Sequence, residues 1–210
     1  MTISRSEQKE RTRRAILDAS LALSEDSALA ALSLRAVAKE VGIVPTAFYR
    51  HFESIDELGL ALVEESFATL RAMLKEVRAG VPAFTDIIDE SMAVLVEHVN
   101  AQRDHYAFIA RERAAGPPRV RDAIRHEIEL ITRELTTDLA RLPGTDHWPT
   151  EDLHLLADLI VSFTVTTAER IIAARPEAEA ATVAGTRRQL RMLLVGALNW
   201  KPRAGQPEQG

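Results

Sequence analysis

An all-α fold is the expectation from the sequence, and three observations carry it. Apolar residues recur at i, i+3, i+4 and i+7 in several stretches, period-two alternation is hard to find, and Gly or Pro punctuates the periodic segments. Leu34, Val37, Ala38 and Val41 form one such face, and Ile88, Ser91, Met92, Leu95 and Val99 form another. Ile124, Ile128, Ile131, Leu135 and Leu139 make a third stripe, and Leu190, Leu193, Leu194, Ala197 and Leu198 a fourth. Each reads as an amphipathic helix that buries one side.

The punctuation sets the boundaries. Gly42 stops the helix that ends near Val41, and Pro45 suits the first turn of the next, where its missing N–H costs nothing. Ser54-Ile55-Asp56-Glu57 fits a capping box, with two carboxylates at the positive helix end. Gly116-Pro117-Pro118 and Arg175-Pro176 are further stops. About nine helices follow, at roughly 7–25, 33–40, 45–51, 55–79, 84–100, 103–114, 119–141, 150–174 and 178–198. Three short helices come first and longer ones follow. The expected organisation is a small module over 1–52, a helical body over 53–200 and a flexible tail over 201–210.

Composition narrows the function classes. The chain has 210 residues, 46% hydrophobic and 27% charged, which suits a globular protein with a sizeable core. It has no cysteine, so disulfides, thiolate metal sites and cysteine nucleophiles are excluded. No apolar run approaches the ~18 residues of a membrane helix, and the first residues lack a signal-peptide core, so a cytoplasmic location and no membrane partner are expected. Net charge is −5, yet residues 1–52 hold eight Lys/Arg against six Asp/Glu. A basic end on an acidic body hints at nucleic acid at that end.

Enzyme chemistry finds no foothold. His98 and His105 are seven residues apart, as are His147 and His154, too far for an i, i+4 metal pair. There is no HExxH, no Gly-rich phosphate loop and no GxSxG elbow. No catalytic residue, metal or cofactor is expected.

Residues 33–52 read SLRAVAKEVGIVPTAFYRHF. A short amphipathic helix, a Gly-centred turn and a second short helix give the helix-turn-helix arrangement, whose second helix enters the DNA major groove. Val37, Ala38, Val44 and Phe48 are its expected core, and Thr46, Tyr49, Arg50 and His51 its open face. Thr46 opens the second helix, where a hydroxyl, backbone N–H groups and the dipole all favour an anion. Spacing alone leaves a second reading open, an ordinary helical hairpin with a solvated polar side, as in a protein-binding adaptor.

At these residues the chain resembles the TetR family of one-component transcriptional repressors. That family's motif has a Ser/Thr-rich start, an Ala-x-x-x-Gly turn and a recognition helix closing in Tyr-x-His-Phe; here these are Ser33, Ala38, Gly42 and Tyr49-Arg50-His51-Phe52. The resemblance implies a homodimer on a palindromic double-stranded operator. It implies a DNA surface of Arg13, Ser33, Arg35, Pro45, Thr46, Ala47, Tyr49, Arg50 and His51, with Tyr49 and His51 on phosphates and Phe48 and Phe52 in the core. The family often has a phosphate-binding Lys at the start of the fourth helix, where this chain has Ile55 beside Asp56. Arg50, Arg35 and the arm residues Arg5, Lys9, Arg11, Arg13 and Arg14 are the expected substitutes.

The runs LSLRAVAKEVGIVPTAFYRHF, DELGLALVEE, FIARERAAG and QLRMLLVGALNW are similar to the FabR/DesT-type branch, which senses long-chain acyl-CoA and controls unsaturated fatty-acid genes. This implies a small apolar effector among the middle helices. Phe67, Leu70, Phe84, Ile88, Met92, Leu95, Phe108, Ile124, Ile128 and Phe163 are candidate lining, with Arg111 and Arg113 of the Arg-rich 111–125 segment as phosphate partners. The alternative is a repressor of an efflux or catabolic gene responding to another hydrophobic ligand. The family pairs copies through its last two helices, so Leu153, Leu156, Ile160, Leu190, Leu194 and Leu198 are candidate seam residues.

Overall fold

The computed structural model describes residues 4–24, 27–79, 87–142, 144–145 and 147–201. Among these it contains nine α-helices, one 3-10 turn and no strand. The helices are α1 (Arg5–Leu23), α2 (Leu34–Val41), α3 (Pro45–Phe48), α4 (Ile55–Ala79), α5 (Ile87–Ala101), α6 (Arg103–Ala115), α7 (Pro118–Leu139), α8 (Thr150–Ala173) and α9 (Pro176–Leu198), with the 3-10 turn at Leu29–Ala31. No described helix is long and apolar enough to cross a membrane.

The chain divides into two compact units, Met1–Gly80 with Glu97–His126, and Val81–Val96 with Glu127–Gly210. The expected boundary at residue 52 follows the motif; the compact grouping instead places α4 and α6 with it. The reason is packing. Helix α1 lies against α2, α4 and α6, so the N-terminal helices share their core with later ones.

In the first unit, α1 begins in a complete capping box. The Glu7 N–H donates to Ser4 Oγ at 3.1 Å, and the Ser4 N–H donates to Glu7 Oε2 at 2.7 Å. This starts the helix two residues before the expected 7. Ile16, Leu17, Ser20 and Leu21 form its buried face. The core also holds Leu29, Phe48, Phe52, Leu58, Leu62, Phe67 and Phe108. The Phe48 and Phe52 rings sit 5.8 Å apart, and the Arg13 guanidinium lies 5.0 Å above the Phe52 ring. At the start of α4, Ser54 Oγ accepts from the Glu57 N–H as expected, while the Glu57 carboxylate reaches the Glu53 N–H rather than the Ser54 N–H.

In the second unit, Leu139, Leu153 and Ala157 form a buried cluster, with Leu135, Leu142, Trp148, Leu156 and Ile160 packed on it. Helix α8 packs on α9. Asp89 accepts from Arg191 at 2.6 Å and lies 3.6 Å from Arg187. The Trp200 indole N–H donates to Asp152 at 2.9 Å. The expected helix start at 84 and the tail beyond 201 lie outside the described residues.

Candidate nucleic-acid interface

Helix α2 opens on Ser33, whose hydroxyl accepts from the Ala36 N–H at 3.1 Å. It closes on Gly42, which takes the left-handed conformation at φ 75° and so turns the chain out of the helix. The Ile43 N–H returns to the Ala38 carbonyl at 2.9 Å, which fixes the turn between the two helices. Val37 and Ala38 are buried beneath it.

Helix α3 starts at Pro45, as the missing N–H allows. It ends at Phe48, shorter than the expected 45–51. Residues 49–51 tighten into a turn, with the Arg50 N–H on the Ala47 carbonyl and the His51 N–H on the Phe48 carbonyl. Phe48 is fully buried and anchors the helix. Pro45, Thr46, Tyr49 and Arg50 are exposed around it, and Ala47 and His51 are half-buried. The Tyr49 ring stands edge-on to Phe48 at 6.0 Å, so the buried ring orients the exposed one.

One core expectation is corrected. Val44 is 64% exposed. It occupies the extended N-cap position of α3, outside the helix, and therefore does not share the buried face with Phe48. Its side chain is open, as is that of Tyr49 at the other end of α3, which is 59% exposed.

The basic arm separates into roles. Ser33 and Arg35 are exposed at the start of α2, and Arg13 is half-buried over Phe52. Arg14, expected as a substitute phosphate contact, is engaged within the chain. Its guanidinium reaches Asp18 at 2.5 Å and Glu65 at 2.7 Å. His51 Nδ1 is buried without a hydrogen-bond partner among the described residues. Burial, then Lys9 and Arg13, holds this imidazole below its ordinary pKa, with Glu10 opposing and Arg50 adding to the effect. The ring is therefore neutral near pH 7, beside a cationic arm that suits phosphate.

The expected effector lining is distributed over both units. Phe67, Phe108 and Ile124 are buried in the first, with Leu70 half-buried. Met92 and Leu95 are buried in the second, with Ile88, Ile128 and Phe163 half-buried. Phe84 lies outside the described residues. An open groove of about 440 Å³ in the second unit is lined by Val96, Pro176, Glu179, Ala180, Val183, Ala184 and Arg187, none of them an expected lining residue. In the Arg-rich segment, Arg111 donates to the Ser27 carbonyl at 3.4 Å, Arg121 to the Gly116 carbonyl at 2.8 Å, and Arg125 pairs with Asp122 at 2.8 Å. Arg113 is exposed.

The expected seam residues also divide. Leu153 is 4% exposed and packs with Leu139 and Ala157, and Leu156 and Ile160 rest on that cluster. Leu190 and Leu194 are half-buried, and Leu198 is 63% exposed. The open apolar side chains of α8 and α9 are instead Leu155, Leu159, Met192, Val195 and Leu198. The first four are not among the expected seam residues, because spacing on an apolar-rich helix does not reveal which face its own chain covers.

Two family models match this chain. Residues 16–62 match that of the bacterial regulatory proteins of the tetR family, and residues 84–197 match the Tetracyclin repressor-like C-terminal domain. Among solved structures, a transcriptional regulator from Rhodococcus sp. Rha1 aligns at TM-score 0.70 and 20% identity, over 90% of this chain and 99% of that one. Salmonella enterica GusR aligns at TM-score 0.71 and 18% identity, over 94% and 99%. The fatty acid degradation regulator FadR from Bacillus halodurans aligns at TM-score 0.68 and 12% identity, over 90% and 97%. At these identities the likeness is one of fold. With a helix-turn-helix anchored by Phe48 and family matches across most of its length, the chain belongs to the TetR family of DNA-binding transcriptional regulators.

Proposed function

We propose that this regulator is a homodimeric repressor that reads a palindromic operator through α3 and releases or grips it in response to long-chain acyl-CoA. The observation that carries the DNA half is the exposure of Thr46 on α3, and of Tyr49 and Arg50 in the turn that follows it, around the buried Phe48. In this reading Thr46, with Pro45 and Ala47, meets the groove. Tyr49, His51, Ser33, Arg35, Arg50 and Arg13 meet phosphates, which position the protein without specifying sequence. A second copy covers the open leucines of α8 and α9. Two recognition helices then face half-sites about 34 Å apart.

The acyl-CoA half rests on the sequence similarity to FabR/DesT-type regulators, which extends beyond the DNA-binding motif. A ligand moves operator affinity only by its differential affinity for two dimer conformations, and a coupling of ~1–3 kcal/mol suffices for regulation. The controlled genes on this reading serve fatty-acid desaturation or unsaturated fatty-acid synthesis.

The test is operator affinity with palmitoyl-CoA, oleoyl-CoA and free CoA, on a fragment selected from genomic DNA. The reading expects a thioester to bind and change affinity, with chain saturation setting the size of the response. Two thioesters that leave operator affinity unchanged would remove the acyl-CoA assignment and return the effector to another hydrophobic ligand, as in an efflux or catabolic repressor. Failure to shift any fragment at low salt would remove the DNA assignment itself.

A further inference from the structure

Glu112 lies on α6 and is fully buried. Its Oε1 accepts the Leu29 N–H at 2.8 Å, a contact across 83 residues of sequence. Leu29 opens the 3-10 turn that leads to Ser33, the N-cap of α2. The residue before Glu112 grips the same segment, since Arg111 donates to the Ser27 carbonyl at 3.4 Å. Two consecutive side chains of α6 thus hold the backbone that enters the helix-turn-helix.

The surroundings are shaped around this carboxylate. A Cβ on Gly116 would fall 2.6 Å from both the Glu112 carbonyl oxygen and Glu112 Oε2, so glycine there leaves room for the helix end and the carboxylate alike. The Leu29 side chain is seated as tightly on α4, where a Cβ on Gly59 would fall 2.3 Å from Leu29 Cδ2. Leu29 is therefore held by its side chain on α4 and by its amide on α6. Only half of the carboxylate is satisfied, because Oε2 has no hydrogen-bond partner among the described residues. A buried carboxylate oxygen left bare is costly, and a neutral hydroxyl or amide acceptor would hold one N–H at less expense. The contact is also short-ranged, so a displacement of α6 by about 1 Å takes the pair out of hydrogen-bonding range.

We propose that Glu112 is a positioning residue for DNA binding, a latch by which α6 sets the segment Leu29–Ser33 and with it the placement of α2 under the recognition helix. It rests on the reading of α2 and α3 as the DNA-contacting module. Displacement of α6 opens the latch, frees the Leu29 amide and loosens the start of α2, where Ser33 and Arg35 lie, while Glu112 itself touches no DNA.

The experiment combines amide exchange with operator binding on the full chain, well below its melting temperature. In the wild type the Leu29 amide should exchange at least ~10-fold more slowly than a free chain amide, as a hydrogen-bonded buried group does. E112Q keeps a carbonyl acceptor in place; it should preserve that protection and bind operator within about twofold of wild type, since one neutral acceptor still satisfies the amide. E112A should release the Leu29 amide selectively and weaken operator binding by ~10-fold or more, a loss of about 1.4 kcal/mol or more. Fast exchange of the Leu29 amide in the wild type would overturn the latch even if E112A proved too unstable to test. Equal losses in E112Q and E112A, or operator binding by E112A at wild-type strength, would overturn it as well. Wild-type protein that shifts no DNA fragment would instead overturn the DNA-binding reading, with the exchange result standing separately.

Discussion

Ser66 Oγ and His105 Nδ1 lie 3.0 Å apart, joining α4 to α6 inside the first unit. The other ring nitrogen, Nε2, is 3.7 Å from Glu65 Oε1, and Glu65 in turn accepts from Arg14 of α1. Three helices that pack on one another thus also share one polar network. Burial lowers the His105 pKa more than Glu65 raises it; Arg14 lowers it further, and Asp104 and Asp18 oppose. The imidazole is neutral in the folded state near pH 7.

This fixes the sign of a pH effect. The unfolded imidazole titrates near 6.5 and the folded one lower, so the unfolded state binds more protons between the two. Stability contributed by His105 is present above 6.5 and is lost as pH falls through the folded pKa. The expected observation is a denaturation midpoint that is flat above pH 7 and falls below about 6.5. His51 adds a slope of the same sign, so His105→Gln should reduce the fall rather than abolish it. An unchanged slope in that variant would show that His105 does not titrate as described.

Dimerisation should run through the exposed apolar side chains of α8 and α9, of which only Leu198 belongs to the seam expected from the sequence. Leu159 and Val195 are both more than half exposed in the single chain. Covering the open half of such side chains is worth ~1–2 kcal/mol each, and a buried carboxylate in their place is strongly unfavourable. The wild type should scatter light as about twice 23.2 kDa, and the double variant L159E/V195E as 23.2 kDa. Leu153→Ala is the contrast. It opens a hole beside Leu139 and should cost ~2–5 kcal/mol of folding stability without changing the assembly state. A double variant that remains dimeric would place the interface elsewhere.

Gly59→Ala tests the close approach of α4 to Leu29. The substitution gains about 1 kcal/mol of helix propensity. Against this, the new methyl meets Leu29 Cδ2 at 2.3 Å and Val120 Cγ2 at 2.9 Å, on two side chains that are fully buried and cannot swing into solvent. Overpacking of this kind costs ~1–3 kcal/mol, so a net loss of up to ~2 kcal/mol is expected in urea unfolding. A rise in stability would mean that Leu29 yields easily, which would also weaken the case for a firmly held linker.

Much of this was legible in the sequence where the signal is local. The spacing of Leu34, Val37, Ala38 and Val41, the break at Gly42 and the Pro45 start define the helix-turn-helix within a dozen residues. Ser4-x-x-Glu7 is an equally local signature, and reading it would have placed the start of α1 correctly. What was not legible depends on distant partners. Glu112 reads as one charge in Arg-Glu-Arg, and only Leu29, far away along the chain, reveals that it is buried. Leu153 and Leu155 are two residues apart and chemically identical; Leu139 covers one and leaves the other open. Val44 looks like core by composition, but its extended backbone turns it outward.

The last prediction concerns the half-buried imidazole beside the recognition helix. In the free protein His51 is held neutral by burial and by the nearby Lys9 and Arg13 cations, so its proton is weakly bound. A phosphate placed against it on DNA binding supplies the opposite charge and raises its pKa. The complex then binds more protons than the separated partners, and affinity must rise as pH falls through the window between the two pKa values, the lower edge of which lies below 6.5. The expected result is an operator Kd that tightens between pH 7.5 and 6, a range in which the chain stays largely folded, at constant salt. His51→Gln should flatten that dependence and cost ~1–2 kcal/mol on every DNA sequence alike, because a phosphate contact is worth about one charge-assisted hydrogen bond and carries no base information. Thr46→Ala should behave differently, altering sequence preference as well as strength while leaving the pH dependence in place. An operator Kd that weakens on acidification in the wild type, or a pH dependence that survives in His51→Gln, would take His51 off the phosphate backbone.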